Sequence, residues 1–133
     1  MAAEMTPQAR KFLEETTMKT ILAIPDEALD AVMAVAYQLY QSGRHPEVEI
    51  LCRGLVAANH KDGWAYALLA ATLRRQGKLV EALGAVEEGL VHAPEDSKLR
   101  FMRGELREVI AQAQAHAAAN SSTASTSTTS VAA

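Results

Sequence analysis

Cysteine is all but missing from this chain: Cys52 stands alone among 133 residues. No internal disulfide can staple the fold, and a lone thiol fits a reducing compartment. Seven glycines and four prolines leave few points at which a helix is forced to stop. Three Tyr, two Phe and one Trp are the only aromatic side chains. Apolar runs such as Ala65 to Leu73 fall far short of the roughly 20 residues needed to cross a bilayer as a helix, which argues against stable membrane insertion. The start, MAAEMTPQARKF, lacks a basic segment followed by an apolar run. The expectation is a soluble, cytoplasmic protein. Positive charge is not in excess either. With 13 basic and 16 acidic residues interspersed and a formal charge of -3, the chain has no broad cationic field for phosphates, which argues against a nucleic-acid partner.

What is present is helix composition. Ala, Leu, Glu, Gln and Arg dominate long stretches, apolar residues recur at three and four positions, and no strand alternation interrupts them. The length suits one compact domain. A first helix is predicted over Thr6 to Leu22, with Thr6 as N-cap and Pro7 in the first turn. Pro25 then breaks the pattern. From Asp26 the chain repeats itself. Gly43 and Gly77 lie 34 residues apart, inside YQSGRHPEVEIL and RRQGKLVEALGA, which share one plan of helix end, glycine turn and acidic start of a new helix. Ala36, Ala70 and Gly104 keep the same spacing, and a small residue at that position lets two helices approach closely. After Ala111 the text thins to Ala, Ser and Thr, with too little apolar surface to offset chain entropy.

Period and pattern resemble the tetratricopeptide repeat, a helix-turn-helix unit. In the second copy Tyr66, Leu69, Ala70, Leu73, Ala82, Val86, Gly89 and Pro94 fall on its consensus positions. In the looser first copy, Leu29 to Asp62, the core falls to Val32, Val35, Ala36, Leu39, Val48, Cys52 and Leu55, and Glu95 to Gln114 supplies a capping helix. The expected fold is all-α: a tetratricopeptide-like helix-turn-helix superhelix with two repeats. A helical N-terminal segment covers 1–24, the repeat domain with its capping helix 25–117, and a disordered Ser/Thr/Ala tail 118–133.

Catalytic chemistry is hard to assemble. His45, His60, His92 and His116 have no partners at metal-ligand spacing and read as solvent-exposed polar residues. There is no glycine-rich phosphate cradle and no nucleophile elbow. Cys52 falls on a core position, where a thiol packs and stays inert. Glu87 and Glu88 are adjacent, hence roughly 100° apart on a helix, and make a solvated face. The expectation is no enzyme, no cofactor and no metal.

The repeat resemblance further implies that the first helix of each pair lines a concave wall. Its groove positions fall on Asp30, Met33, Tyr37, Tyr40 and Gln41, then Trp64, Ala67, Ala71, Arg74 and Arg75, then Lys98, Phe101, Glu105, Glu108 and Val109. Four of the few aromatic residues land in this set, so the rings are kept for the wall. Such a cleft takes apolar side chains while Tyr hydroxyls and the indole N–H bond a partner's backbone. The competing arrangement covers the rings with the N-terminal helix as ordinary core.

Over Met18 to Pro94 the chain also resembles the class II chaperones of bacterial type III secretion. The residues that carry this are Ala36, Tyr40, Gln41, Ser42 and Gly43, then Leu51 and Cys52, then Asn59, His60, Lys61 and Asp62. Two repeats plus a cap stand where that family usually has three. The resemblance implies a chaperone in the bacterial cytoplasm that keeps a translocator client soluble and export-competent. The client would lie along Met33, Tyr37, Tyr40, Trp64, Ala67, Ala71, Arg74 and Phe101. The alternatives are a chaperone of a type III needle subunit and a general tetratricopeptide adaptor. Homodimer or heterodimer formation through the N-terminal helix is a further expectation.

Overall fold

The computed structural model describes residues 6–15 and 17–132, with side chains for 6–11, 17 and 19–120. The helices are α1 (Pro7–Glu15), α2 (Met18–Ile21), α3 (Asp26–Gln41), α4 (His45–Ala58), α5 (Gly63–Arg75), α6 (Leu79–His92) and α7 (Ser97–Ala132). Among the described residues there is no strand.

The repeat is visible hydrogen bond by hydrogen bond. At the end of α3 the Gly43 N–H donates to Tyr40 O at 3.1 Å and the Arg44 N–H to Leu39 O at 3.0 Å. At the end of α5, 34 residues on, Gly77 donates to Arg74 O at 3.0 Å and Lys78 to Leu73 O at 2.9 Å. This closure needs the left-handed backbone that glycine adopts without a Cβ penalty, and both glycines have φ of 79°. The starts repeat as well. Asp62 Oδ1 accepts the Trp64 N–H and Asp96 Oδ1 accepts the Leu99 N–H, each at 3.0 Å.

Each helix packs on its neighbour in sequence from α3 to α7, and α3 and α7 also touch α5. Helix α5 is thus the middle of the stack, and Tyr66, Leu69, Ala70 and Leu73 are buried there. Ala36, Val48, Cys52, Ala82, Val86, Leu99 and Leu106 complete the core from the other helices. Glu49 ties the repeats together from α4. Its carboxylate accepts from Gln76 Nε2 at 2.9 Å and Lys78 Nζ at 3.1 Å, and from Arg53 Nε at 3.2 Å.

Five expectations are corrected. The predicted helix over Thr6 to Leu22 is two helices. Thr6 does cap the first, its Oγ1 accepting the Ala9 N–H at 3.1 Å. Thr17 then leaves the helix, and its Oγ1 lies 3.3 Å from the Thr20 N–H, starting α2 instead. Val32 and Val35, expected in the core, are exposed, Val35 to 48%. Helix α3 ends the stack, and α2 packs on α4 rather than on its outer face. Gly104 is not at a helix crossing. A Cβ there meets nothing within 4 Å, because no helix among the described residues packs on that face of α7. His45 and His60 are half-buried rather than solvent-exposed. His60 lies 4.6 Å from His92, which stacks on Tyr66, and His45 meets Tyr40 edge-on. The fifth correction concerns α7, which starts at Ser97 and outruns Gln114. Its backbone is helical through Ala132. Residues 111–120 are exposed all round, so no packing against the body supports it there.

Two glycines of α6 give opposite predictions. A Cβ on Gly89 would stand 2.9 Å from Tyr66 Cβ and Cγ and 3.0 Å from Leu99 Cδ1, whereas one on Gly84 meets nothing. Gly89→Ala lowers unfolding free energy by about 1–3 kcal/mol through overpacking. Gly84→Ala raises it by about 0.5–1 kcal/mol through helix propensity. Urea melts of the two variants check the signs. Acid stability tests Glu49, whose carboxyl is held below its ordinary 4.5 by the Lys78 hydrogen bond first, then by Gln76 and Arg53, against partial desolvation. A lowered folded value means the network's contribution is complete above 4.5 and fades as pH falls through the folded value. Glu49→Gln removes that part of the slope of stability against pH.

Candidate functional site: an aromatic groove on the first helices

Three contiguous cavities line one side of the stack, and Tyr40 belongs to all of them. The first, of about 220 Å³, is walled by Tyr37, Tyr40, Trp64, Ala67, Leu68, Ala71, Lys98 and Met102. The second, of about 520 Å³, adjoins it at Tyr40, Ala71 and Met102 and is closed by Arg74, Arg75, Glu105 and Leu106. The third, of about 250 Å³, continues to Gln41, Gly43, His45 and Arg75. The walls belong to α3, α5 and α7, the first helix of each pair and the cap. Only His45, the first residue of α4, comes from a second helix.

The arrangement follows from helix spacing. On α5 the residues Leu69, Ala70 and Leu73 turn into the core, which leaves Trp64, Ala67, Leu68 and Ala71 on the opposite stripe. The alanines keep that stripe low, so the cleft is floored by methyl groups and walled by rings. Tyr37 is 45% and Trp64 47% exposed, so the rings are neither sealed in the core nor free of it. Lys98 Nζ lies 3.9 Å above the Trp64 ring, and this cation–π contact bridges α5 and α7 at the cleft's end. Arg75 Nε reaches the Tyr40 hydroxyl at 3.4 Å and Arg74 faces Glu105 at 3.7 Å. His45 holds Tyr40 from behind with ring centroids 5.4 Å apart; its Nδ1 is buried without a hydrogen-bond partner.

Of the eight residues expected in the groove, Tyr37, Tyr40, Trp64, Ala67 and Ala71 wall the first cavity and Arg74 the second. Met33 is half-buried against the core and Phe101 is 67% exposed, and neither lines these cavities. The apolar contribution of α7 comes from Met102 and Leu106. Those two, with Leu68 and with Gly43 and His45 of the third cavity, line the groove outside the expected set; the spacing Lys98, Met102, Glu105 of i, i+4, i+7 is the signal that marks the α7 face.

Cys52 is fully buried away from the groove, and burial pushes its thiol up to about 11. Among the described residues no three His, Cys, Asp or Glu side chains converge as a metal ligand set, and no helix is long and apolar enough to cross a membrane.

No family model matches the sequence, and no curated protein matches it. Solved structures do. The chain superposes on the Yersinia enterocolitica type III secretion translocator chaperone SycD with a TM-score of 0.66 and 21% identity, covering 68% of each chain. The fold is that of the translocator chaperones. A chain of a T3SS complex from Aeromonas hydrophila matches with a TM-score of 0.70 and 17% identity, covering 80% of this chain and 71% of that one. SycD in complex with a peptide of the translocator YopD matches at 0.58 and 22% identity, over 62% and 63%. At such identities the likeness speaks for the path of the helices, and the groove chemistry is this chain's own.

A buried thiol with this environment alkylates slowly. At pH near 8, iodoacetamide labels Cys52 in the native protein on the order of a hundredfold more slowly than a free cysteine, and denaturant restores the rate. Mass spectrometry of the time course checks this, and fast native labelling would move Cys52 out of the core.

Proposed function

We propose that this protein is a non-enzymatic chaperone of type III secretion, cytoplasmic in a bacterium. It holds an apolar segment of a translocator in the trough on α3, α5 and α7 and keeps that client soluble until export. The observation that carries this reading is the open aromatic cleft of Tyr37, Tyr40 and Trp64 over Ala67 and Ala71. It stands on the fold of SycD, a chaperone whose structure has been determined with a translocator peptide.

The physical case is one of unsatisfied surface. Two half-exposed rings beside methyl-floored space leave apolar area in water that a guest's Leu or Val can cover, each contributing about 1.5–3 kcal/mol before ordering costs. An indole N–H and Tyr hydroxyls in such a cleft are able to bond an extended guest backbone. Burial of the Cys52 thiol away from the groove favours binding over thiol catalysis there.

Expression in a type III-bearing host followed by purification in low detergent identifies what stays bound. A translocator supports the proposal; a needle subunit instead supports the alternative client. With the co-purified client as titrant, Tyr40→Ala weakens binding by about 1–3 kcal/mol while far-ultraviolet circular dichroism stays unchanged. Equal affinity of variant and parent overturns the groove as the client site.

A further inference from the structure

The first two cavities are stacked along the helices. From one to the next, residue numbers rise together on α5, from Trp64 and Ala67 to Arg74 and Arg75, and on α7, from Lys98 to Glu105. The two helices therefore run the same way beneath one trough, and its two ends differ in chemistry. One end is aromatic and apolar. The other presents two guanidinium groups against one carboxylate, a local positive excess in a chain whose formal charge is -3.

Neither arginine is consumed by the fold. Arg74 and Glu105 are each 42% exposed and 3.7 Å apart, a loose surface pair that contributes little and that a guest can replace. Arg75 is exposed and spends its Nε on the neutral Tyr40 hydroxyl. That contact places the guanidinium at the trough wall, and a guanidinium that donates through Nε still has two terminal amino groups able to donate to a carboxylate.

We propose that the Arg74–Arg75 end of the trough is a subsite for an acidic side chain of the client. The recognised segment is then extended, with an apolar residue against Tyr37, Trp64 and Met102 and an Asp or Glu about three residues away. The spacing follows from the helix: seven residues of α5 between Ala67 and Arg74 rise about 10 Å, which extended chain covers in about three residues. Apolar pockets alone do not fix register. A charge at one end does, because only one placement satisfies both. This inference rests on the groove being the client site.

The test is a library of random peptides of about ten residues displayed on phage, fused through their carboxy ends so that any enriched acid is a side chain. Panning on the full chain recovers an apolar residue with an acid two to four positions from it. Panning on Arg74→Gln/Arg75→Gln keeps the apolar residue and loses the acid. A synthetic peptide of the recovered sequence binds this variant about tenfold more weakly than the parent, and its Glu→Gln analogue binds both alike. An apolar consensus without an acid overturns the subsite and leaves the groove standing. Recovery of no apolar consensus overturns both. Should the double variant fold poorly, equal binding of the Glu and Gln peptides to the parent protein overturns the subsite by itself.

Discussion

The structure turns on one close approach. Where α5, α6 and α7 meet, Gly89 gives up its side chain so that the base of the Tyr66 ring and the Leu99 methyl can press against the backbone of α6. Ala36, Ala70 and Ala82 are fully buried in the same core. Small residues at such contacts let helices approach closely, and among the described residues Tyr66 is the aromatic side chain that is buried. Tyr37, Tyr40 and Trp64 stand on the wall instead. Fold and groove are two consequences of one distribution of side-chain volume.

Much of this was legible because a repeat writes the same physics twice. The spacing of Gly43 and Gly77 located two helix ends whose capping bonds are the same pair of contacts 34 residues apart, and Tyr66, Leu69, Ala70 and Leu73 are buried where periodicity places them. What escaped lies at the ends of the stack. A repeat position foretells burial only if a neighbour exists on the side it faces. Among the described residues Val32 and Val35 have none beyond α3 and Gly104 meets no second helix, so each is exposed while its counterpart inside the array is buried. The same end effect separates Phe101 from the groove. In α7 the wall falls to Lys98, Met102 and Glu105; transferring positions from a full repeat yields Lys98 and Glu105 but puts Phe101 where Met102 stands. The break at Thr17 was hidden for another reason. A threonine hydroxyl can cap a new helix or ride within an old one, and local sequence does not choose between them.

Electrostatics divide along the same line between body and groove. The half-buried carboxylate of Glu49 gathers Gln76, Lys78 and Arg53 on the side away from the trough and locks α4 to the turn between α5 and α6. That network is internal and already satisfied. The charges at the trough are not: Lys98 rests on a ring, Arg75 on a hydroxyl and Arg74 on a distant carboxylate. Groups held so loosely lose little when a guest replaces their partners, which is the condition for charge to add specificity instead of only adding desolvation cost.

Two repeats and a cap make a short trough, and its length bears on how tightly a guest can be held. Two or three apolar anchors supply roughly 3–9 kcal/mol. Association and ordering of an extended segment consume several kcal/mol of that, and micromolar affinity requires about 8. Apolar contacts alone therefore leave a complex weak, and backbone bonds to the rim and charge contacts at the arginine end must supply the remainder. A complex assembled from such modest contributions is released when any one of them is withdrawn. If the trough holds a client for export, as proposed, a shallow wall of rings over alanines suits release better than a deep pocket.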